Sequence, residues 1–274
     1  MYRTMGVFRF KKFEVVNEKS AMKVNTDGVL LGALMTISPS DRRLLDIGTG
    51  TGTIALMAAQ RLALMPERPD IRLAERSISP VFCGAGQTDA RSGLHSPVIS
   101  AIDIDEASAT EAGANFRNSP WPDMLQAFHA SLDGFAGTSG DCMYDLIFSN
   151  PPYFEDSLNA PEERRNNARH TSTGLSYREI LDFAAERLSE DGRVSFVLPA
   201  ETENALCRHA RMNGLHLFRI VRVRTVPRKA PSRIIAEFSR VRTDSPEDTT
   251  LTIQDEGKYT QEYLSLMHDF YLFA

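Results

Sequence analysis

Apolar residues recur along this chain with two periods, and the alternation of the two predicts strands that alternate with helices. The strand candidates are short apolar runs of the kind that buried parallel strands make. They occupy residues 44–47, 98–105, 125–130, 145–149 and 192–199. The helix candidates are amphipathic or apolar runs of helical period between these strands. They begin near Thr51 and cover residues 106–118, 176–188 and 200–212. This order predicts an α/β fold with helices on both faces of a mostly parallel sheet.

Two further runs, residues 215–223 and 233–239, bring the predicted sheet to seven strands. We expect them to form an antiparallel hairpin at the edge of the sheet. The first five strands should follow the order 3-2-1-4-5, which makes the first and fourth strands neighbours. Ligands of such folds bind where the strand order reverses. The ends of strands 44–47 and 145–149 are therefore the first place to look for a site.

The first 40 residues precede the main pattern. Residues 8–16 alternate closely enough to predict a strand or hairpin. Thr26 or Asp27 can then cap a helix whose apolar residues begin at Val29, and either side chain could instead face a ligand. We expect residues 1–40 to pack as a hairpin and helix on a main domain of residues 41–274. Residues 63–97 are broken by proline and glycine, which predicts an insertion or long surface loop.

The fourth predicted strand stops at Asn150-Pro-Pro-Tyr153, because proline cannot donate to a sheet ladder. The Asn150 side-chain oxygen and the Pro151 carbonyl can together accept both hydrogens of one planar amino group. Tyr153 could stack on the ring that carries that group. The alternative is a strand followed by a turn and a packed tyrosine.

A glycine turn follows the first predicted strand, in Asp46-Ile-Gly-Thr-Gly-Thr-Gly52. A strand, a glycine turn and a helix in succession bring the backbone close to a ligand. The spacing of Gly48, Gly50 and Gly52 differs from the dinucleotide pattern G-x-G-x-x-G. It is compatible with a ligand that has no pyrophosphate and whose amino-acid tail needs contacts of its own.

Acidic and hydroxyl residues end the second and third predicted strands. Asp103 is placed to accept hydrogen bonds from two ribose hydroxyls, with Asp105 in reserve, although both could merely cap the following helix. Ser131 or Asp133 could contact an adenine edge, although a turn is an equal alternative.

The net charge is −5, but the cations are concentrated in two segments. Residues 1–24 hold six cations and two anions, and residues 219–243 hold eight cations and one anion. A chain that is acidic overall could therefore grip a polyanion locally, unless these are solvated faces. His170 could contact a phosphate or a base, although a lone loop histidine is more often structural.

Cys83, Cys142 and Cys207 are odd in number and widely spaced, which predicts reduced thiols with no zinc site. The longest apolar run, residues 29–37, is too short to span a bilayer.

The glycine turn, Asp103 and Asn150-Pro-Pro-Tyr153 together resemble a Rossmann-like class I S-adenosylmethionine-dependent methyltransferase that modifies an exocyclic or amide nitrogen. Three further segments, Phe8–Phe13, Ala21–Ala33 and Ala168–Thr171, and the terminal Phe270–Phe273, resemble a bacterial family more closely. That family methylates N6 of adenine 37 in valine tRNA. The resemblance implies a cytoplasmic tRNA enzyme that uses S-adenosylmethionine. We expect it to be a monomer that binds no metal and no membrane.

The residues in these motifs divide into three predicted groups. The predicted catalytic residues are Asn150, Pro151 and Tyr153. The predicted cofactor-binding residues are Asp27, Asp46, Gly48, Gly50, Gly52, Asp103, Ser131 and Asn150. The predicted substrate-binding residues are Tyr153, Lys23, Arg169, His170, Arg228, Lys229 and Arg233.

Two other functions remain open at this point. The same Asn-Pro-Pro-Tyr motif occurs in enzymes that methylate a glutamine amide of release factors, which is another planar NH₂ group. A non-catalytic RNA-binding module could also keep this fold.

Overall fold

An eight-stranded sheet lies at the centre of the protein and confirms the predicted α/β class. The structure is a computed structural model that describes residues 6–20, 22–65, 98–152 and 175–274. The sheet strands are β3 (Arg43–Ile47), β4 (Val98–Asp103), β5 (Leu125–His129), β6 (Tyr144–Ser149), β7 (Leu188–Pro199), β8 (His216–Arg224), β9 (Arg233–Ser239) and β10 (Glu247–Thr252). A separate hairpin of β1 (Val7–Arg9) and β2 (Glu14–Val16) precedes them, and β11 (Gln254–Asp255) pairs with β12 (Lys258–Tyr259).

The strand order is β5-β4-β3-β6-β7-β9-β8-β10, so the predicted order of the first five strands is confirmed. β9 runs antiparallel to both β7 and β8, and the other neighbours are parallel. The predicted count of seven strands is wrong, because β10 pairs with β8. The β8–β9 hairpin therefore lies inside the sheet. In β10 only Leu251 is buried, which explains why hydrophobic patterning did not reveal this strand.

Seven helices cover the two faces of the sheet within the described residues. They are α1 (Thr26–Leu34), α2 (Thr53–Leu64), α3 (Glu106–Arg117), α4 (Leu132–Thr138), α5 (Tyr177–Arg187), α6 (Glu203–Met212) and α7 (Gln261–Met267). Buried side chains of α1, α2, α3 and α7 form one apolar cluster, and those of α4, α5 and α6 form the other. The strands supply both clusters alternately, as Leu146, Ile147 and Phe148 of β6 illustrate.

Several helix and strand boundaries differ from the predicted ones. Asn25 caps α1 by accepting a 2.8 Å hydrogen bond from the Gly28 N–H, so the assignment of the cap to Thr26 or Asp27 is wrong. β7 begins at Leu188, four residues earlier than predicted. Residues 63 and 64 belong to α2, and the rest of the predicted insertion lies almost wholly outside the described residues. The division at residue 40 stays a prediction.

Cys207 is a free thiol, as predicted. Cys83 lies outside the described residues. Within the described ranges, none of the helices has the length and hydropathy that a membrane span requires.

A buried ion pair joins the end of α1 to the sheet. Arg193 donates to both carboxylate oxygens of Asp41, at 3.0 and 2.6 Å, and also to the Thr36 carbonyl. Arg193 is 8% exposed and Asp41 is 2% exposed. Water therefore cannot replace either partner, and the pair depends on its own hydrogen bonds.

We predict that Asp41→Ala lowers the free energy of unfolding by about 3 kcal/mol, because it leaves a buried guanidinium without its counter-ion. Urea unfolding measures this change. The matched control is Glu14→Ala, which breaks a surface pair with Arg9. It should cost less than about 1 kcal/mol. Equal losses in both variants would contradict the prediction.

Candidate active site

The glycine turn between β3 and α2 has the conformation that its sequence requires. Gly48, Gly50 and Gly52 have φ angles of 74°, 57° and 79°, a region that glycine enters without strain. A Cβ at Gly52 would lie 2.4 Å from the Phe116 ring, so this glycine serves packing. A Cβ at Gly48 would meet nothing within 4 Å. The backbone at Gly48 therefore borders open space in which a ligand can lie against it.

The N–H groups of this turn bind the end of β4. Gly48 and Thr49 both donate to the Ile102 carbonyl, at 2.9 and 3.0 Å, and Gly50 donates to Asp103 at 2.8 Å. The turn is thus held against the neighbouring strand. These three N–H groups point towards β4, so a ligand at the turn would rely on other groups.

Asp103 ends β4 and is held on both carboxylate oxygens. Oδ2 accepts from the Gly50 N–H and Oδ1 accepts from the Asp105 N–H at 2.9 Å. Each oxygen keeps a further lone pair, so the group can still accept two hydroxyls. Desolvation by burial raises the pKa of Asp103, and the two N–H groups oppose this rise. Asp105 instead caps α3 through the Ser108 N–H, so the capping alternative applies to Asp105 alone.

Asp46 lies within β3, beneath the turn, and is fully buried. Its Oδ2 accepts a 2.7 Å hydrogen bond from the Thr49 hydroxyl. Among the described residues, Oδ1 makes no direct hydrogen bond. Burial raises the pKa of Asp46 to about 7, the Asp103 charge adds to the rise, and the Thr49 hydroxyl and the Ala55 N–H oppose it.

Asn150 lies on the same rim as the glycine turn. β3 and β6 pair in parallel with Ile47 opposite Ser149, so the residues that follow both strands emerge side by side. Asn150 is 4% exposed and lines a small cavity together with Gly48 and Gly50. Its Nδ2 donates to the Met22 sulfur at 3.5 Å. The predicted meeting of the first and fourth strand ends is therefore confirmed.

Residues 16–20 and 22–25, which we call the N-terminal strap, cover the glycine turn from outside. Met22, Lys23, Val24 and Asn25 line the same cavity as Gly50 and Asn150. The cavity volume is only about 20 Å³. Met22 is half-buried and its side chain is unbranched and flexible, so it can move aside for a larger ligand.

Two side chains of α3 hold the strap, and no sequence pattern revealed them. Glu111 is 4% exposed and accepts from the N–H groups of residues 18, 19 and 20, at 2.9, 2.7 and 3.1 Å. Asn115 accepts from the Val16 N–H and donates to the carbonyls of Val16 and Thr51. Asn115 thus links the strap directly to the glycine turn.

The remaining predicted site residues have other described contacts. Asp27 forms an ion pair with Arg233 at 2.8 Å, Lys23 donates to the Glu18 carbonyl, and Ser131 caps α4. Their ligand roles stay predictions. Tyr153, Arg169 and His170 lie outside the described residues.

The basic segment 219–243 is largely engaged within the protein. Arg219 pairs with Glu237 and Glu247, and Arg222 pairs with Glu203 and Asp248. The exposed Arg228 and Lys229 make no ion pair with any described residue, which leaves them as cations for a polyanion. In the part of the chain that the structure describes, no three His, Cys, Asp or Glu residues cluster as metal ligands do.

We predict that the buried Asp46 makes stability depend on pH. Between pH 3.8 and about 7 the folded chain retains a proton that the unfolded chain loses. The free energy of unfolding should therefore fall as pH rises through this interval, by at most roughly 1.4 kcal/mol per pH unit. In Asp46→Asn this contribution disappears. Urea unfolding of both proteins across the interval tests the prediction, and parallel pH profiles would contradict it.

Comparison with known proteins relates this geometry to a family. No family model matches the chain. Among solved structures, a predicted O-methyltransferase from Agrobacterium tumefaciens matches with a TM-score of 0.58 at 13% identity, over 89% of this chain and 96% of its own. A methyltransferase from Pyrococcus furiosus matches with a TM-score of 0.50 at 18% identity, over 82% and 89% of the two chains. These two similarities support the fold.

Curated relatives are much closer in sequence. A tRNA1(Val) (adenine(37)-N6)-methyltransferase from Bacteroides fragilis is 36% identical over 97% of each chain. Proteins of that name from Flavobacterium johnsoniae and Mannheimia succiniciproducens are 36% and 33% identical, over 97% of this chain and 99% and 94% of theirs. The chain belongs to the tRNA1(Val) (adenine(37)-N6)-methyltransferase family.

Proposed function

We propose that this protein transfers a methyl group from S-adenosylmethionine to N6 of adenine 37 in valine tRNA. The observation that carries this proposal is the cavity that Asn150 shares with Gly48 and Gly50. It joins an acceptor for a planar amino group to a glycine turn typical of a cofactor site. The family of the curated relatives supports the same reaction.

The residues on this rim are suited to the cofactor. Asp103 can accept the two ribose hydroxyls, since each of its oxygens keeps a lone pair. The open space at Gly48 allows the cofactor to lie against the backbone. When bound, S-adenosylmethionine supplies a methyl group on a positively charged sulfur. Gly52, Asp46 and Asn115 hold the surrounding backbone. Asp27, in the first turn of α1, and Ser131, at the start of α4, complete the proposed set.

Asn150 and Pro151 would then prepare the target nitrogen. The N6 lone pair of adenine is delocalised into the ring, so this amino group is a weak nucleophile. If the Asn150 side-chain oxygen and the Pro151 carbonyl each accept one N–H, the nitrogen becomes more tetrahedral and its lone pair can attack the methyl group. Positioning and electrostatics supply the rate enhancement, and no dedicated base is required. Tyr153 would stack on the adenine.

Lys23 lines the cavity at this rim, and the exposed Arg228 and Lys229 lie in the loop that follows β8 on the same edge of the sheet. These cations would contact the tRNA phosphates, with Arg233, Arg169 and His170 as further contacts. Phosphate contacts of this kind make affinity fall as salt concentration rises. An anticodon-loop base is already unpaired, so presenting it requires less energy than flipping a base out of a duplex. We propose that the enzyme acts as a monomer in the cytoplasm, where it would encounter its tRNA substrate.

We expect the purified protein to methylate tRNA isolated from a strain that lacks the gene. Nuclease digestion and mass spectrometry should locate one N6-methyladenosine, at position 37 of valine tRNA. A purified translation release factor, which presents a glutamine amide, is the comparison substrate. Methylation of the release factor in place of tRNA would refute the proposal, as would S-adenosylmethionine binding without transfer to either substrate.

We predict that Asn150→Ala lowers kcat on tRNA by about 10²-fold or more, because an acceptor that orients the amino group is lost. Its affinity for S-adenosylmethionine, measured by calorimetry, should stay within about threefold of wild type. Asn118→Ala, an exposed asparagine at the end of α3, is the control and should retain full activity. Unchanged turnover of Asn150→Ala would remove Asn150 from the mechanism.

A further inference from the structure

A second cavity, of about 380 Å³, lies beside the proposed methyl-transfer site. The first turn of α1 separates the two: Thr26 and Asp27 line the second cavity, whereas Asn25 and Gly28 line the first. Its volume falls within the range of ligand pockets in proteins.

The walls of this cavity combine an apolar floor with polar and aromatic sides. Leu30, Val223 and Ile253 form the floor. The sides are formed by Thr225, Ser232, Gln254, Tyr259, Tyr263 and the ion pair of Asp27 with Arg233. Unpaired RNA bases have the complementary chemistry, because they present flat apolar faces and edges rich in donors and acceptors.

Backbone hydrogen bonds keep the cavity rim in place. Ser232 N–H donates to the Val223 carbonyl and Gln254 N–H donates to the Thr225 carbonyl, each at 2.9 Å. The Arg224 guanidinium donates to the Pro227 carbonyl at 3.0 Å and thereby braces the loop between β8 and β9. The side chains of Thr225 and Gln254 therefore project from fixed backbone, which suits them to recognise a defined ligand.

The position of the cavity places it within reach of the same RNA. Val223 and Ile253 lie at the carboxyl ends of β8 and β10, which run parallel to β6, so this cavity opens on the rim that holds Asn150. β8 is three strand positions from β6, or roughly 14 Å at ordinary strand spacing. A short run of unstacked nucleotides can bridge that separation.

The charged residues in and around the cavity indicate whether the base or the phosphate of a nucleotide would enter it. The two charged side chains of the wall, Asp27 and Arg233, form an ion pair at 2.8 Å, so the wall carries no net positive charge that would draw a phosphate inside. Arg228 and Lys229 are exposed on the adjacent loop, where they can contact phosphates outside it. The base would therefore lie inside while its backbone stays on the rim.

We infer that this cavity binds the base of an anticodon-loop nucleotide close to the target adenine, with Gln254 and Thr225 at the base edge. This inference rests on the proposed function and adds to it a second contact that selects the RNA.

The test uses full-length valine tRNAs in which one loop nucleotide at a time, other than the target, lacks its base. With wild-type protein, removing the base at one position should raise KM for tRNA about tenfold. Gln254→Ala should raise KM for intact tRNA by a similar factor, with kcat and S-adenosylmethionine affinity unchanged. The same abasic tRNA should then cause no additional loss in Gln254→Ala. Thr225→Val is a second variant, which removes the hydroxyl of an exposed side chain and should raise KM for tRNA in the same way.

The control is Gln126→Ala, an exposed glutamine on β5 at the far edge of the sheet, which should leave KM unchanged. If wild type methylates tRNA but tolerates every abasic position equally, or if both cavity variants keep the wild-type KM, this inference is overturned while the proposed function stands. If wild type methylates no tRNA at all, the proposed function itself fails, and the inference fails with it.

Discussion

Parallel pairing of β3 with β4 and β6 is the constraint on which the site depends. Ile47 lies opposite both Ile102 and Ser149, so the three strands end at the same level. The residues that follow them must therefore emerge together, whatever conformation the loops adopt. Because these strands are buried on both faces, a slip in register would remove their apolar side chains from two cores at once. Burial of the apolar side chains of these strands thus fixes the positions of the glycine turn, Asp103 and Asn150.

Hydrogen bonds from α3 fix the N-terminal strap, which the sheet does not position. The N-terminal strap crosses the site with Val24 packed against the apolar core, and Glu111 holds it through three backbone N–H groups. Hydrogen bonds to a charged group contribute about 1.5–3 kcal/mol each, more than neutral ones. Asn115 joins the strap to the turn. Displacement of the Met22 side chain would therefore admit a cofactor while residues 18–20 of the strap remain anchored on α3.

Apolar periodicity was sufficient to predict the first five strands of the sheet, and the general topology of doubly wound α/β folds gave their order. Asp and Asn at the strand ends predicted the site. Apolar periodicity could not predict β10, whose residues are mostly exposed and polar. That omission also hid the acidic partners Glu247 and Asp248, so segment 219–243 seemed more available to a polyanion than it is. Glu111 and Asn115 resemble ordinary helix-surface residues in sequence. They are buried because the N-terminal strap crosses α3, and a contact between residues so far apart in sequence leaves no local sequence pattern.

We propose that a cofactor bound at the glycine turn presents its methyl group to Asn150. A crystal structure with S-adenosylmethionine tests this most directly. We expect the ribose hydroxyls on Asp103, the Met22 side chain displaced, and the sulfonium methyl facing the Asn150 side-chain oxygen. Cofactor bound away from this rim, or bound there with its methyl group separated from Asn150 by packed side chains, would contradict the account.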